Sequence, residues 1–408
     1  MLPGISVSAN RTRQQVALGH VEELKTMKRM NVAGMMLAVV LVLTGGCSQW
    51  LSKRALERGT AAMKQNDYAT AVKQFEKAAR HIVDSPDLYF NLGRSYQQLN
   101  NLDAALKNYQ TALDLKPSDT DCMMCIGEIL LKRQKWDEAT AIYEKASMGL
   151  PPDANLLTAL AKAASGAGRT DAARIDLIRA LRADPNCAAA HYDLGCLYRD
   201  VFMLPAEAVE QFESFLRTAD PRDPHVASAR EKVLQLKQVV ARQAPQLPPG
   251  AKRDPAAAVK LVAEGEHQRL AKQLPKAEKA YREALVADPL CQDAALDLAL
   301  LFKAKNNQAE AMKLLLRASS MEPLRQTILL ETAQTALALK DYPTAGRMLD
   351  RVIASSPSFA PAYASMAVVR HFQGQKAAAR VYAEQFVRLA APGPERDRYE
   401  AWAKTLPR

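Results

Sequence analysis

A spacing of 34 residues constrains this chain more than any other feature. Gly59, Gly93, Gly127, Ala161 and Gly195 stand 34 residues apart, and so do Gly265, Ala299, Ala333 and Ala367. Twelve residues after each comes an alanine: Ala71, Ala105, Ala139, Ala173, Ala277, Ala311, Ala345 and Ala379. In the fifth unit Ala208 comes thirteen after Gly195, so that unit carries one extra residue. Four positions beyond the alanine stands a bulky apolar residue: Phe75, Tyr109, Tyr143, Leu177, Phe212, Tyr281, Leu315 or Leu349. Only the ninth unit departs, with Ala383. Prolines close most units, at Pro117, Pro151, Pro185, Pro289, Pro323 and Pro357.

Within one unit, Asp87 to Pro117, the periodicity is helical. Tyr89, Leu92 and Tyr96 form one apolar stripe, and Leu102, Tyr109 and Leu113 form another. Spacings of three, four and seven put each set on one face of a helix. Asn100-Asn101 marks the turn between them, and Pro117 stops the second helix. Gly93, Ala105 and Ala112 let the two backbones approach at a crossing that the bulky residues fill.

A 34-residue helix-turn-helix unit with this small/large code resembles the tetratricopeptide repeat. The resemblance covers residues 52 to 392. It implies an all-α solenoid, a right-handed superhelix of antiparallel helix pairs, with about nine repeats in two arrays. Array one spans 47–242, as five repeats and a capping helix over Val226–Arg242. A Pro-rich linker occupies 243–257. Array two spans 258–408, as four repeats and a capping helix carrying Tyr399, Trp402 and Leu406. A solenoid of this length has no need to split by the usual domain-size rule, because each repeat touches its neighbours.

Residues 27–46 read as a secretory leader: Lys28 and Arg29 precede the short apolar run Val32–Leu43. The following Leu43-Thr44-Gly45-Gly46-Cys47 resembles a bacterial lipobox, which implies lipidation of Cys47. Thr44 stands where leucine is commonest in that motif. Residues 1–26 precede the leader without a pattern of their own and fit a misplaced start, with translation beginning at Met27. Ser48 implies sorting to the outer membrane, with the body facing the periplasm. The competing readings are an uncleaved membrane anchor and a cytosolic adaptor.

The chain carries a net charge of +11, of which residues 1–46 hold five Lys/Arg and two Asp/Glu, leaving +8 for the rest. That balance suits anionic headgroups or acidic partners. With no dense Lys/Arg run and no basic stretch interleaved with aromatics, nucleic acid is not an expected partner.

Residues with chemical potential fall mostly on packing positions. Cys122 and Cys125 form the only CxxC; a redox or metal-linked accessory role for this pair is the alternative function. The pair lies inside a helix, with Ile126 where a haem-attachment motif needs histidine. Cys187, His191 and Cys196 share a helical region, but His191 holds the slot filled by Tyr89, Met123 and Leu157, so packing is the plainer reading. Ser165-Gly166-Ala167-Gly168-Arg169-Thr170 is a poor phosphate loop, placed where an interhelix turn is due. No zincin, nucleophile-elbow or paired-carboxylate pattern stands out. No enzyme and no cofactor is expected.

In the resembled family the first helix of each repeat lines a concave groove. Carried onto this sequence, that selects Phe90, Asn91, Arg94 and Gln97 in repeat two, and Met124, Glu128 and Lys132 in repeat three. It also selects Lys162, Tyr192 and Arg199. In array two the same slots are apolar: Leu296, Leu300, Leu330, Leu337, Val368 and Phe372. A partner helix, the other array, a second copy or tight curvature could each cover them. The expected function is a membrane-anchored scaffold that binds protein segments and assists an envelope machine such as a pilus, secretion or polysaccharide-export system. The sequence leaves the oligomeric state open.

Overall fold

The computed structural model describes residues 50–148, 153–243, 253–321 and 325–407. Cys47 and the leader lie outside them, as does most of the Pro-rich linker. Among the described residues every regular element is a helix. None is long and apolar enough to cross a membrane. Two compact units meet between Ile129 and Leu130.

The first unit holds α1 (50–64), α2 (Tyr68–Ala79), α3 (Pro86–Gln98) and α4 (Leu102–Leu115), and most of α5 (Thr120–Lys132). The second continues with α6 (Trp136–Ser147), α7 (Ala154–Gly166), α8 (Thr170–Ala183), α9 (Ala188–Asp200) and α10 (Pro205–Thr218). The longer α11 (His225–Gln243) follows. Then come α12 (Pro255–Leu270), α13 (Leu274–Ala287), α14 (Gln292–Ala304), α15 (Gln308–Ser319), α16 (Gln326–Ala338) and α17 (Tyr342–Ser355). The chain closes with α18 (Ala360–Phe372), α19 (Lys376–Leu389) and α20 (Pro394–Thr405). Odd-numbered helices up to α9 are first helices of repeats one to five. From α12 onward the even-numbered ones, to α18, are first helices of repeats six to nine.

Each turn inside a repeat is made the same way. Asn66, Asn100, Gln134, Gly168, Met203, Lys272, Asn306, Lys340 and Gly374 all have φ between 55° and 80°. They stand seven residues after the small residue of the repeat, except Met203, which stands eight after Gly195 because of the extra residue. The turn geometry is therefore set by the repeat, and seven of the nine positions bear its strain without glycine. Gly168 belongs to this series, so the glycine-rich stretch around it is an interhelix turn. The next residue often caps the second helix: the side chains of Asp67, Asn101, Asn307 and Asp341 accept from backbone N–H groups one turn on.

The small/large code is a helix crossing. A Cβ on Gly93 would stand 2.7 Å from ring carbons of Tyr109, and one on Gly265 would stand 2.5 Å from the ring of Tyr281. Ala71, Ala105, Ala139 and Ala173, the alanines of the same code, are wholly buried. Five of the nine crossings bury an aromatic ring, and Leu177, Leu315 and Leu349 fill the same place elsewhere, so apolar burial recurs along the repeats.

Cores form locally and then merge. In the first unit, Ala71, Phe75, Leu88 and Leu92 make one cluster. In repeats six and seven, Ala277, Tyr281, Leu298, Phe302 and Leu315 make another. The largest cluster runs through repeats four, five, eight and nine, and joins Leu177, Ile178 and Tyr198 to Val352, Tyr363 and Tyr382. It is continuous because second helices meet: α8 packs on α19 and α10 on α17. The helix α11 covers α10, and α20 covers α19. From α20, Tyr399 meets Phe386 in a tilted contact at 4.7 Å and Trp402 meets His371 at 5.4 Å, and Leu406 just past its end is buried.

Candidate functional site

First helices of successive repeats lie side by side and touch through polar pairs. In the first unit Gln97 Nε2 of α3 donates to Glu128 of α5 at 3.4 Å. Tyr109 Oη donates to the Gln97 carbonyl at 2.6 Å. Phe90 rests on Tyr109 with ring centroids 5.8 Å apart, and the Arg94 guanidinium lies over Phe90 at 5.9 Å. Asn91 and Met124 are half-buried, while Arg94 and Glu128 are exposed. Phe90, Arg94, Gln97 and Glu128 are thus brought into one amphipathic patch with both charges accessible.

The second unit treats its selected residues differently. Lys132 is exposed at the end of α5. Lys162 of α7 pairs with Asp193 of α9 at 3.5 Å. Tyr192 is held by α11: Lys232 Nζ donates to its hydroxyl at 2.7 Å, and the His225 ring lies 4.4 Å away. Arg199 is engaged by Asp200 through two nitrogens. Tyr192 is therefore an anchor for α11, which sequence spacing alone did not reveal.

The apolar slots of repeats seven to nine split in two. Leu296, Leu330, Leu337 and Val368 are half-buried, with Leu330 and Leu337 packed on the large core. Leu300 is 38% exposed and Phe372 60%, the latter stacked on Tyr342 at 5.2 Å. Contact between the two sets of repeats runs through second helices, so α14 and α16 keep their outer strip of apolar side chains.

Sequence reasoning missed the polar cluster buried where second helices meet. Arg174 of α8 has no solvent exposure. Its Nη1 donates to Asp350 Oδ1 of α17 at 2.7 Å, and its Nη2 to Tyr382 Oη of α19. The Tyr382 hydroxyl donates on to Asp171, which also accepts from Arg370 Nη2 at 3.1 Å. The Phe202 ring lies 3.9 Å from the guanidinium carbon. Burial works against the charge of Arg174, but Tyr382, Asp350 and Asp171 outweigh it and hold the guanidinium above its ordinary value. Two arginines face two aspartates, so the cluster is neutral as a whole. One signal was available: Arg370 stands where other repeats carry Tyr96, Tyr198 or Phe302.

The cysteines are packing residues in geometry. Cys122 is wholly buried, and burial, then Asp119, pushes its thiol up to about 12. Burial raises Cys125 as well. Both are free thiols. His191 spends its ring nitrogens on Gln211 at 2.8 Å and on the Pro185 carbonyl at 3.0 Å, away from Cys187 and Cys196. Among the described residues no group of three potential metal ligands converges.

Family models for the tetratricopeptide repeat match residues 86–119, 158–224 and 262–323. The matches fall on helix pairs built with the crossing and turn just described. The chain is a tetratricopeptide repeat protein. A stretch of 98 residues is 32% identical to the protein O-mannosyl-transferase TMTC1 of Homo sapiens, covering 23% of this chain and 11% of TMTC1. Another of 99 residues is 28% identical to the photosystem I assembly protein Ycf3 of Prochlorococcus marinus, covering 22% of this chain and 57% of Ycf3. This tetratricopeptide repeat protein thus spans about a tenth of TMTC1's length and over half of Ycf3's. The solved structure of MamA from Desulfovibrio magneticus RS-1 is similar with a TM-score of 0.40 and 20% identity, over 42% of this chain and 97% of that one.

Proposed function

We propose that this protein is a lipid-anchored adaptor. It captures segments of partner proteins on its first-helix faces while Cys47 holds it at the outer membrane, facing the periplasm. The observation that carries the reading is the patch of Phe90, Arg94, Gln97 and Glu128. There an aromatic face and two accessible opposite charges sit on adjacent first helices. Such a surface offers an apolar seat and fixed hydrogen-bonding groups to an extended or helical segment. The similarity to Ycf3, a photosystem I assembly protein, supports a role in assembling other proteins. For a lipid-anchored chain the client is an envelope machine, with pilus, secretion and polysaccharide-export systems as the candidates. Several acyl chains, each methylene contributing about 0.8 kcal/mol, would anchor a body in which no described helix is long and apolar enough to cross a membrane.

The test is crosslinking capture from cells with the full chain, compared with a Phe90→Ala/Arg94→Glu variant. Specific envelope partners that the variant loses support the adaptor; the same partners captured equally by both would refute the assignment of this patch. Fractionation of a Cys47→Ser variant addresses the anchor, since unchanged membrane attachment would rule out lipidation at that residue.

A further inference from the structure

Repeats five, seven and eight share an acidic slot between first helices, and the copy in repeat seven is incomplete. The acidic residue two positions before the small residue of repeat five is Asp193, and Lys162 from the preceding first helix pairs with it at 3.5 Å. The equivalent residue of repeat eight is Glu331, and Lys303 from the preceding first helix donates to it. In repeat seven the equivalent is Asp297 on α14. The preceding first helix, α12, presents Glu266 at the position of Lys162, and Arg269 at the position of Lys303. Arg269 is committed elsewhere, gripping both carboxylate oxygens of Glu266 at 2.6 and 2.7 Å. Asp293, one turn before Asp297, is held by Arg325. Among the described residues Asp297 makes no ion pair and no hydrogen bond. Burial, then the like charges of Glu266 and Asp293, pushes its carboxyl up to about 6 against the weaker pull of Arg269.

Around this slot the surface is apolar. Val262 of α12, Leu296 of α14 and Leu330 of α16 are half-buried, and Leu300 is exposed. The neighbouring charges cancel in pairs, Arg269 with Glu266, Arg325 with Asp293 and Lys303 with Glu331. The residue left over is a carboxylate in an apolar strip, at a place where two other repeats supply a lysine from within.

We propose that the first-helix face of repeats six to eight takes an amphipathic helix of a partner protein. Its apolar stripe lies along Leu296, Leu300 and Leu330, and a lysine or arginine in that stripe enters the slot at Asp297. The incoming cation replaces the missing intramolecular lysine, and its aliphatic stem covers the leucines. The inference deepens the adaptor reading and rests on it, naming the chemistry of one partner class and the residue that selects it.

The experiment pans the immobilised full chain with phage-displayed amphipathic helices of about five turns, built on a fixed leucine stripe with one randomised stripe position. Three proteins are compared: the wild type, Asp297→Asn and Asp297→Lys. On the wild type, Lys and Arg are expected at that position over Gln by about tenfold, the scale of one charge-assisted contact. The preference vanishes on Asp297→Asn and turns to Asp or Glu on Asp297→Lys, while unchanged melting curves establish that both variants fold. Equal preferences on all three proteins, or no enrichment on the wild type, would overturn the proposal. Retained enrichment on a Leu300→Glu variant would equally exclude this face. None of these failures touches capture through Phe90 and Arg94, so the adaptor reading and the Asp297 slot stand or fall separately.

Discussion

Arg174 and Asp350 are 176 residues apart in sequence and 2.7 Å apart in space, joined where the second helix of repeat four crosses that of repeat eight. Both are buried in the seam between second helices. Desolvating an ion pair costs several kcal/mol per ion, and here the return comes from Tyr382, Asp171 and Arg370 completing the network. Such a network adds less to stability than it adds to uniqueness. A seam of leucines could slide by a turn, whereas this one leaves charges unpaired unless it is in register.

Removing one partner should therefore be costly. Asp350→Ala leaves the Arg174 guanidinium buried with half its anionic neighbours gone, and is expected to lower unfolding free energy by about 3–5 kcal/mol. Arg174→Met with Asp350→Leu removes both charges and is expected to cost less than Asp350→Ala alone. Urea unfolding of the full chain with Arg174→Met, Asp350→Leu and the pair completes a double-mutant cycle beside Asp350→Ala and measures the difference. Additive losses would mean that the two side chains do not interact.

Asp176 gives the same seam a dependence on pH. It is buried on α8, and burial lifts its carboxyl to about 6 against the pull of Arg179 and Arg388. The folded state thus holds a proton that the unfolded state, with an ordinary aspartate, releases near 3.8. Its contribution to stability is full below about pH 4 and lost as pH rises through about 6. At about 1.4 kcal/mol per unit, and with the Arg179 ion pair partly offsetting it, Asp176→Asn should stabilise the protein by about 1–3 kcal/mol at pH 8. At pH 4 the gain should disappear. Thermal unfolding at both values checks the sign.

The left-handed turn residues differ in cost. Met203 is 73% exposed and holds φ 55° without the freedom of glycine. Met203→Gly is expected to raise stability by about 0.5–1 kcal/mol, relief of strain exceeding the added flexibility of the unfolded chain. Gly374→Ala, at φ 80°, is expected to lower it by about 1 kcal/mol. A melting series of the two variants reads both directions, and the opposite order would contradict the turn geometry.

Thiol reactivity separates packing from chemistry at the CxxC. Cys122, wholly buried with its thiol lifted to about 12, should react with an aromatic disulfide reagent only as fast as repeat three opens. Mass mapping after brief labelling should find Cys122 unmodified in native protein and modified in urea. Rapid native labelling, or recovery of a Cys122–Cys125 disulfide, would restore the redox reading.

The sequence by itself determined the repeat. Gly93 against Tyr109, Ala105 at the crossing and the proline stops are local, and they recur through most of the nine repeats, so their period is visible without coordinates. The extra residue of repeat five was visible for the same reason, as the shift of Ala208. First-helix faces were legible to the extent that each projects from its own helix, which placed Phe90, Arg94 and Gln97 together. The tertiary structure decided what lies against the outward sides. Nothing periodic distinguishes Arg174, Asp350 or Tyr382 from solvated residues on second helices, because the groups that bury them come from repeats far along the chain. The same holds for Tyr192, taken over by Lys232 of α11, and for Asp297, whose missing lysine becomes evident only beside the completed slots of Asp193 and Glu331. Short-range helix packing is written into spacing; which outward face meets which depends on long-range docking, and the charges that fix its register reveal themselves only once they are buried together.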